Sequence, residues 1–98
     1  MSMKELRIMT VCGFGLGTSL VLKMTLDDVL QKNNIRANTF CSDADTAVGQ
    51  RYDLVITSCE MEKLFANVSQ PVVVVDNFLS AEEVQEKAIP VILEMLEK

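Results

Sequence analysis

Val11-Cys12-Gly13-Phe14-Gly15-Leu16-Gly17-Thr18-Ser19 places three glycines within five residues directly after a cysteine and closes on two hydroxyl residues. The run before it (Leu6, Ile8, Met9, Val11) is apolar and rich in strand formers, whereas the run after it (Leu20, Val21, Met24, Leu26, Val29, Leu30) carries apolar residues at helical spacing. A strand that enters a glycine-rich turn and leaves it as a helix presents bare backbone N–H groups and the positive end of a helix dipole. Such a nest suits an anion, phosphate above all. A thiol at its mouth is acidified and aimed at the anion. The first expectation is therefore a cysteine that handles phosphoryl groups.

The elements on either side set the architecture. Residues 5–11 read as a first strand and 18–32 as a helix, with Thr18 or Ser19 as its N-cap, an apolar face of Leu20, Met24, Leu26/Asp27 and Leu30, and Asn33-Asn34 as its end. Residues 35–41 alternate and read as a more exposed strand at an edge. Ser42-Asp43-Ala44-Asp45 resembles a cap before a short helix reaching about Gly49. Residues 52–57 form a nearly continuous apolar strand, expected at the centre, followed by Ser58-Cys59-Glu60 and a short helix over about 61–66. In residues 71–76 four consecutive valines suggest a strand buried on both faces. Ser80-Ala81-Glu82-Glu83 has the form of a capping box. It opens a last helix with Val84, Ala88, Val91, Ile92, Met95 and Leu96 at helical spacing, in which Pro90 should kink or split the pattern.

Strand and helix alternate four times, which implies an α/β fold with a parallel sheet, right-handed crossovers and helices on both faces. The most economical arrangement is a small flavodoxin-like, three-layer domain over 1–98 with strand order 2-1-3-4. Its topological switch lies between the first and third strands, outside their carboxyl ends. The Cys12 segment belongs at that crevice with Thr57-Ser58-Cys59-Glu60 as its neighbour, and the fourth strand delivers Asp76-Asn77 to the same edge.

Composition narrows the chemistry. The chain has 98 residues, 49% of them hydrophobic and 23% charged, which is an ordinary balance for one globular domain. A net charge of −5 with no basic stripe argues against nucleic-acid binding. Histidine is absent, so there is no histidine base, no Cys-His dyad and no histidine metal ligand. Cys12, Cys41 and Cys59 are odd in number, widely spaced and without a CxxC pair, matching neither a disulfide framework nor a zinc site. No metal or cofactor is expected. The N-terminus runs straight into a strand-like segment, and no apolar run approaches the ~20 residues that span a bilayer. The expectation is a soluble, reduced, cytoplasmic protein without direct membrane insertion.

The loop itself excludes further readings. Gly13-Phe14-Gly15-Leu16-Gly17 is GxGxG and misses the GxGxxG dinucleotide spacing, and a Walker-type loop fails for want of the Gly-Lys-Ser/Thr ending. A cysteine phosphatase loop needs an arginine where this chain has Thr18, and without the guanidinium the phosphoryl transition state loses its bidentate partner. Nucleophile and amides are present but hydrolytic equipment is not. This combination favours a cysteine that accepts a phosphoryl group and passes it on.

Cys12-Gly13-Phe14-Gly15-Leu16-Gly17-Thr18-Ser19, continuing to Lys23-Met24, resembles the enzyme IIB component of bacterial sugar phosphotransferase systems. The likeness is greatest to the ascorbate-type branch, whose loop reads Cys-Gly-x-Gly-x-Gly-Ser-Ser and runs into a Lys-Met pair. Galactitol-type and lactose/cellobiose-type components are more distant. Thr18 replaces the expected serine and keeps the hydroxyl.

The resemblance implies a phosphotransferase relay. A phosphohistidine on a IIA partner donates to Cys12, giving phosphocysteine, and the group moves to a sugar, L-ascorbate on this branch, held by a membrane IIC partner during uptake. Gly13, Phe14, Gly15, Leu16, Gly17, Thr18 and Ser19 would bind the phosphate. The residues also fit other readings: capping by Thr18 and Ser19, docking or packing by Phe14 and Leu16, a solvated Lys23, a Cys12–Cys59 disulfide or plain burial. A galactitol-specific or other IIB, or a non-catalytic regulatory or redox module on the same fold, stand as alternatives.

Overall fold

The computed structural model describes residues 5–11, 16–47 and 49–97, with the side chains of 16–19, 44 and 45 left aside. The strands are β1 (Leu6–Val11), β2 (Ala37–Ser42), β3 (Leu54–Thr57) and β4 (Val72–Val74), and the helices are α1 (Leu16–Lys32), α2 (Ala44–Ala47) and α3 (Ala81–Leu96). A 3-10 helix, Cys59–Phe65, follows β3. The sheet has the order β2-β1-β3-β4, and every pairing is parallel. This is the order expected from the alternation of elements.

Leu6, Ile8, Leu54 and Ile56 point to one face, where α1 and α3 cover them with Leu22, Leu26, Val29, Leu30, Val84, Ala88, Ile89 and Ile92. Met9, Val11 and Val55 point to the other face, under Ala47 of α2 and Phe65 of the 3-10 helix, with Tyr52 edge-on to Phe65. The strands thus alternate between two apolar layers, as a doubly covered sheet requires.

The end of α1 follows from its sequence. Asn34 adopts a left-handed conformation at φ 57°. Ile35 N–H donates to the Leu30 carbonyl (2.9 Å) and Asn34 N–H to that of Gln31 (3.1 Å), closing the helix with a Schellman motif.

Four details differ from the expectations. Helix α1 starts at Leu16, so Thr18 and Ser19 lie within its first turn instead of preceding it. Its buried stripe is Leu22, Leu26, Val29 and Leu30, while Leu20 and Met24 are 49% and 63% exposed. Apolar residues occur all round this helix, so spacing alone could not choose the face.

The valine run belongs to a three-residue edge strand. Val73 and Val75 are buried toward α3, while Val72 and Val74 are half-covered. Helix α3 continues unbroken through Pro90, which is exposed. The Glu86 carbonyl that loses its partner belongs to an exposed residue and is open to solvent, and buried Ala88, Ile89 and Ile92 hold the helix down.

Candidate functional site

The carboxyl edge of the sheet is set by register. Ser42, Val11, Thr57 and Val74 stand side by side across β2, β1, β3 and β4. At this edge β1 gives way to the glycine-rich segment, and α1 begins directly after the four intervening residues 12–15. Cys12, Gly13, Phe14 and Gly15 lie outside the described residues. Leu16, Gly17, Thr18 and Ser19 are the first turn of α1, whose opening N–H groups have no acceptor inside the helix. That turn carries the positive end of a 17-residue helix dipole and includes no acidic residue.

The base of this segment is held by Thr57. Its hydroxyl, fully buried, donates to the Val11 carbonyl at 2.8 Å, clamping the last residue of β1 to β3. The next residue, Ser58, is also buried, and its Oγ has no hydrogen-bond partner. Sequence reading named Thr57-Ser58-Cys59-Glu60 as the neighbour of the Cys12 segment. The strand register places Thr57 beside Val11, whereas Cys59 and Glu60 are exposed in the 3-10 helix.

Asp76 and Asn77 follow β4, as expected, but their role at this edge is structural. Their backbone N–H groups both donate to the Glu83 carboxylate at 2.8 Å. Lys87 Nζ donates to the same carboxylate at 2.5 Å. The backbone N–H of Asp76, then the Lys87 ammonium, hold the Glu83 carboxyl down at about 2. Ser80 Oγ accepts from Glu83 N–H (3.1 Å), which is half of a capping box. The other half is diverted, since Glu83 reaches past Ser80 to the strand exit. The Ser-x-x-Glu spacing announced the cap but could not announce this staple.

Lys23 is also committed elsewhere. It pairs with Asp27 at 2.8 Å, and Asp27 accepts from Thr39 Oγ1 of β2 at 2.5 Å, so the pair ties α1 to the sheet. Cys41 is half-buried and Cys59 exposed, both as free thiols. A Cys12–Cys59 pairing involves a residue outside those described. Among the described residues no group of histidine, cysteine or acidic side chains could hold a metal, and no helix is long and apolar enough to cross a membrane.

Exposed Val21 and Met24 of α1 and exposed Leu79 of the β4–α3 loop line a shallow groove along the middle of α1, and Leu20 is exposed on the same helix. Phe14 and Leu16, expected as a docking patch, have no described side chains.

Residues 7–88 match the family model of the lactose/cellobiose-specific IIB subunit of the phosphotransferase system. The chain belongs to that family. The match is to the lactose/cellobiose type and does not support the ascorbate-type branch that the loop residues suggested. The IIB fold is seen again in the lactose-specific IIB component domain from Streptococcus pneumoniae, which is similar with a TM-score of 0.60 and 20% identity over 93% of this chain and 97% of that one. No curated protein is similar enough in sequence to count as a relative. Membership makes the chain a IIB component of a phosphotransferase system, which implies IIA and IIC proteins as its counterparts.

Proposed function

We propose that this IIB chain is a one-domain phosphocarrier acting at Cys12. The observation that carries the reading is the pairing of a family match over 7–88 with a cysteine placed directly after β1, at the sheet edge where α1 opens. The Cys12 thiolate attacks the phosphorus of a phosphohistidine on the IIA partner. The S–P bond forms as the P–N bond breaks, and the imidazole leaves with the electron pair. In the second step a sugar hydroxyl held by the membrane IIC partner attacks the same phosphorus. The O–P bond forms as the S–P bond breaks, the sulfur leaves as thiolate with the electron pair, and the hydroxyl proton passes to a base on the IIC side or to water.

The electrostatics support both steps. N–H groups of residues 13–18 meet the charge that develops on the phosphoryl oxygens, and the dipole of α1 lowers the thiol pKa from about 8.5. Position 18 is threonine, so no arginine assists attack by water, and the phosphocysteine is kept for transfer. We read the exposed apolar surface of Leu20, Val21, Met24 and Leu79 as the seat of the partners. The relay places the chain on the cytoplasmic side of IIC. The sugar inferred from the family match is of the lactose/cellobiose class, in place of L-ascorbate.

The test is labelling by a phosphorylated IIA protein. One phosphoryl group per chain is expected, lost in Cys12→Ser and discharged by a matching sugar in the presence of IIC membranes. The absence of histidine makes the site assignment simple. Label that persists in Cys12→Ser, or steady turnover of an aryl phosphate by the chain alone, contradicts the relay. Discharge by L-ascorbate and not by lactose or cellobiose would return the chain to the ascorbate-type branch.

A further inference from the structure

Ser58 directly follows β3 in an extended conformation, φ −92° and ψ 164°. It occupies the N-cap position of the 3-10 helix, where a serine ordinarily accepts from a first-turn N–H. Here the hydroxyl caps nothing. The residue is only 9% exposed, and Oγ is buried with no hydrogen-bond partner. A buried hydroxyl in that condition is unfavourable, and native structures keep few of them without a reason.

Its position supplies one. Along β3, Leu54 and Ile56 enter the layer under α1 and α3, and Val55 enters the opposite layer. The extended chain continues this alternation, so Thr57 falls on the Val55 side and Ser58 on the side of α1. The Thr57 hydroxyl clamps the Val11 carbonyl, which holds this point of the chain against the end of β1. A dry hydroxyl donor therefore stands on the face and at the edge where α1 begins and the Cys12 segment leaves the sheet. A helix N-terminus offers only N–H donors there, so the ligand that satisfies the whole group is an acceptor. A dianionic phosphoryl group accepts from several donors at once.

We propose that the Ser58 hydroxyl donates a hydrogen bond to a phosphoryl oxygen carried on Cys12, making Ser58 a phosphate-binding residue outside the glycine-rich loop. This rests on the reading of Cys12 as the acceptor. No covalent step involves Ser58, which adds one donor to the charge that forms when the S–P bond is made.

The test compares the full-length parent with Ser58→Ala and Ser58→Thr, using phosphorylated IIA as donor. Initial rates come from intact mass, the titration of the phosphocysteine from phosphorus NMR, and stability from thermal melts. Loss of a hydrogen bond to a charged group lowers the Ser58→Ala rate about tenfold. It also raises the phosphoryl pKa by about half a unit, because the dianion has lost a donor. The melting temperature of Ser58→Ala stays the same or rises, since an unsatisfied buried hydroxyl has been removed. Ser58→Thr keeps the donor and recovers most of the rate.

A Ser58→Ala rate within twofold of the parent and an unmoved phosphorus titration overturn the proposal. A lower melting temperature with an unmoved titration also overturns it, and assigns the hydroxyl to a structural water. A parent chain that takes no label on Cys12 overturns the underlying reading, a result distinguishable from either of these.

Discussion

At the residue scale, the carboxyl edge is organised by side chains that bind backbone. Thr57 holds the Val11 carbonyl, and Glu83 gathers two N–H groups beyond β4. Glu83 sits at about 2, below its ordinary 4.5, through the Asp76 N–H first and Lys87 second. Its folded pKa is depressed, so the stability it contributes is fully present above about 4.5 and is lost as pH falls toward about 2. Glu83→Gln keeps the shape but loses the charge. The expected cost is about 1 kcal/mol at neutral pH, discounted for solvent screening around the Lys87 pair. The variant and parent should converge in stability below about pH 2. Urea melts at a series of pH values check this, and a gap that persists unchanged at low pH would contradict it.

At the element scale, most of the fold was legible because each element carries its own boundary chemistry. Asn33-Asn34 stopped α1, Ser80 started α3, and the strand-forming runs alternated with helical ones. The buried face of α1 was not legible, because Leu20, Met24 and Leu26 are equally apolar and only the packed sheet decides among them. Of the expected site, the neighbouring strand end was legible, since Thr57 stands beside Val11, while Cys12, Gly13 and Gly15 lie outside the described residues. The orphaned Ser58 hydroxyl and the diverted Glu83 carboxylate depend on tertiary placement, and their local spacing signals nothing beyond capping. Pro90 marks the limit of propensity, since α3 overrides it with buried Ala88, Ile89 and Ile92. Pro90→Ala restores an N–H to the exposed Glu86 carbonyl and removes the ring clash. It should stabilise the protein by about 1 to 3 kcal/mol, less the entropy the unfolded chain regains. Thermal melts read this as a higher midpoint, and a lower one would show that the proline relieves a strain in α3.

At the scale of the whole molecule, the sheet lies between two unequal layers. Helices α1 and α3 cover one face with long buried stripes. The other face is closed by the four-residue α2 and the seven-residue 3-10 helix, whose fully buried anchors are Ala47 and Phe65. Local opening is easiest where few apolar contacts are buried, so the thin layer should open without the rest. Amides over 44–47 and 59–65 are therefore expected to exchange at least tenfold faster than those over 22–30 and 84–92. The 3-10 helix starts one residue after Ser58, whereas α2 follows β2 on the other side of β1. A phosphoryl group that bonds the Ser58 hydroxyl binds only the closed arrangement of that segment, and mass action then opposes its opening. Loading Cys12 should slow exchange over 59–65 and leave 44–47 unchanged, by hydrogen exchange and mass spectrometry before and after phosphorylation. Equal slowing in both segments would mean that the group tightens the whole layer by a route other than Ser58.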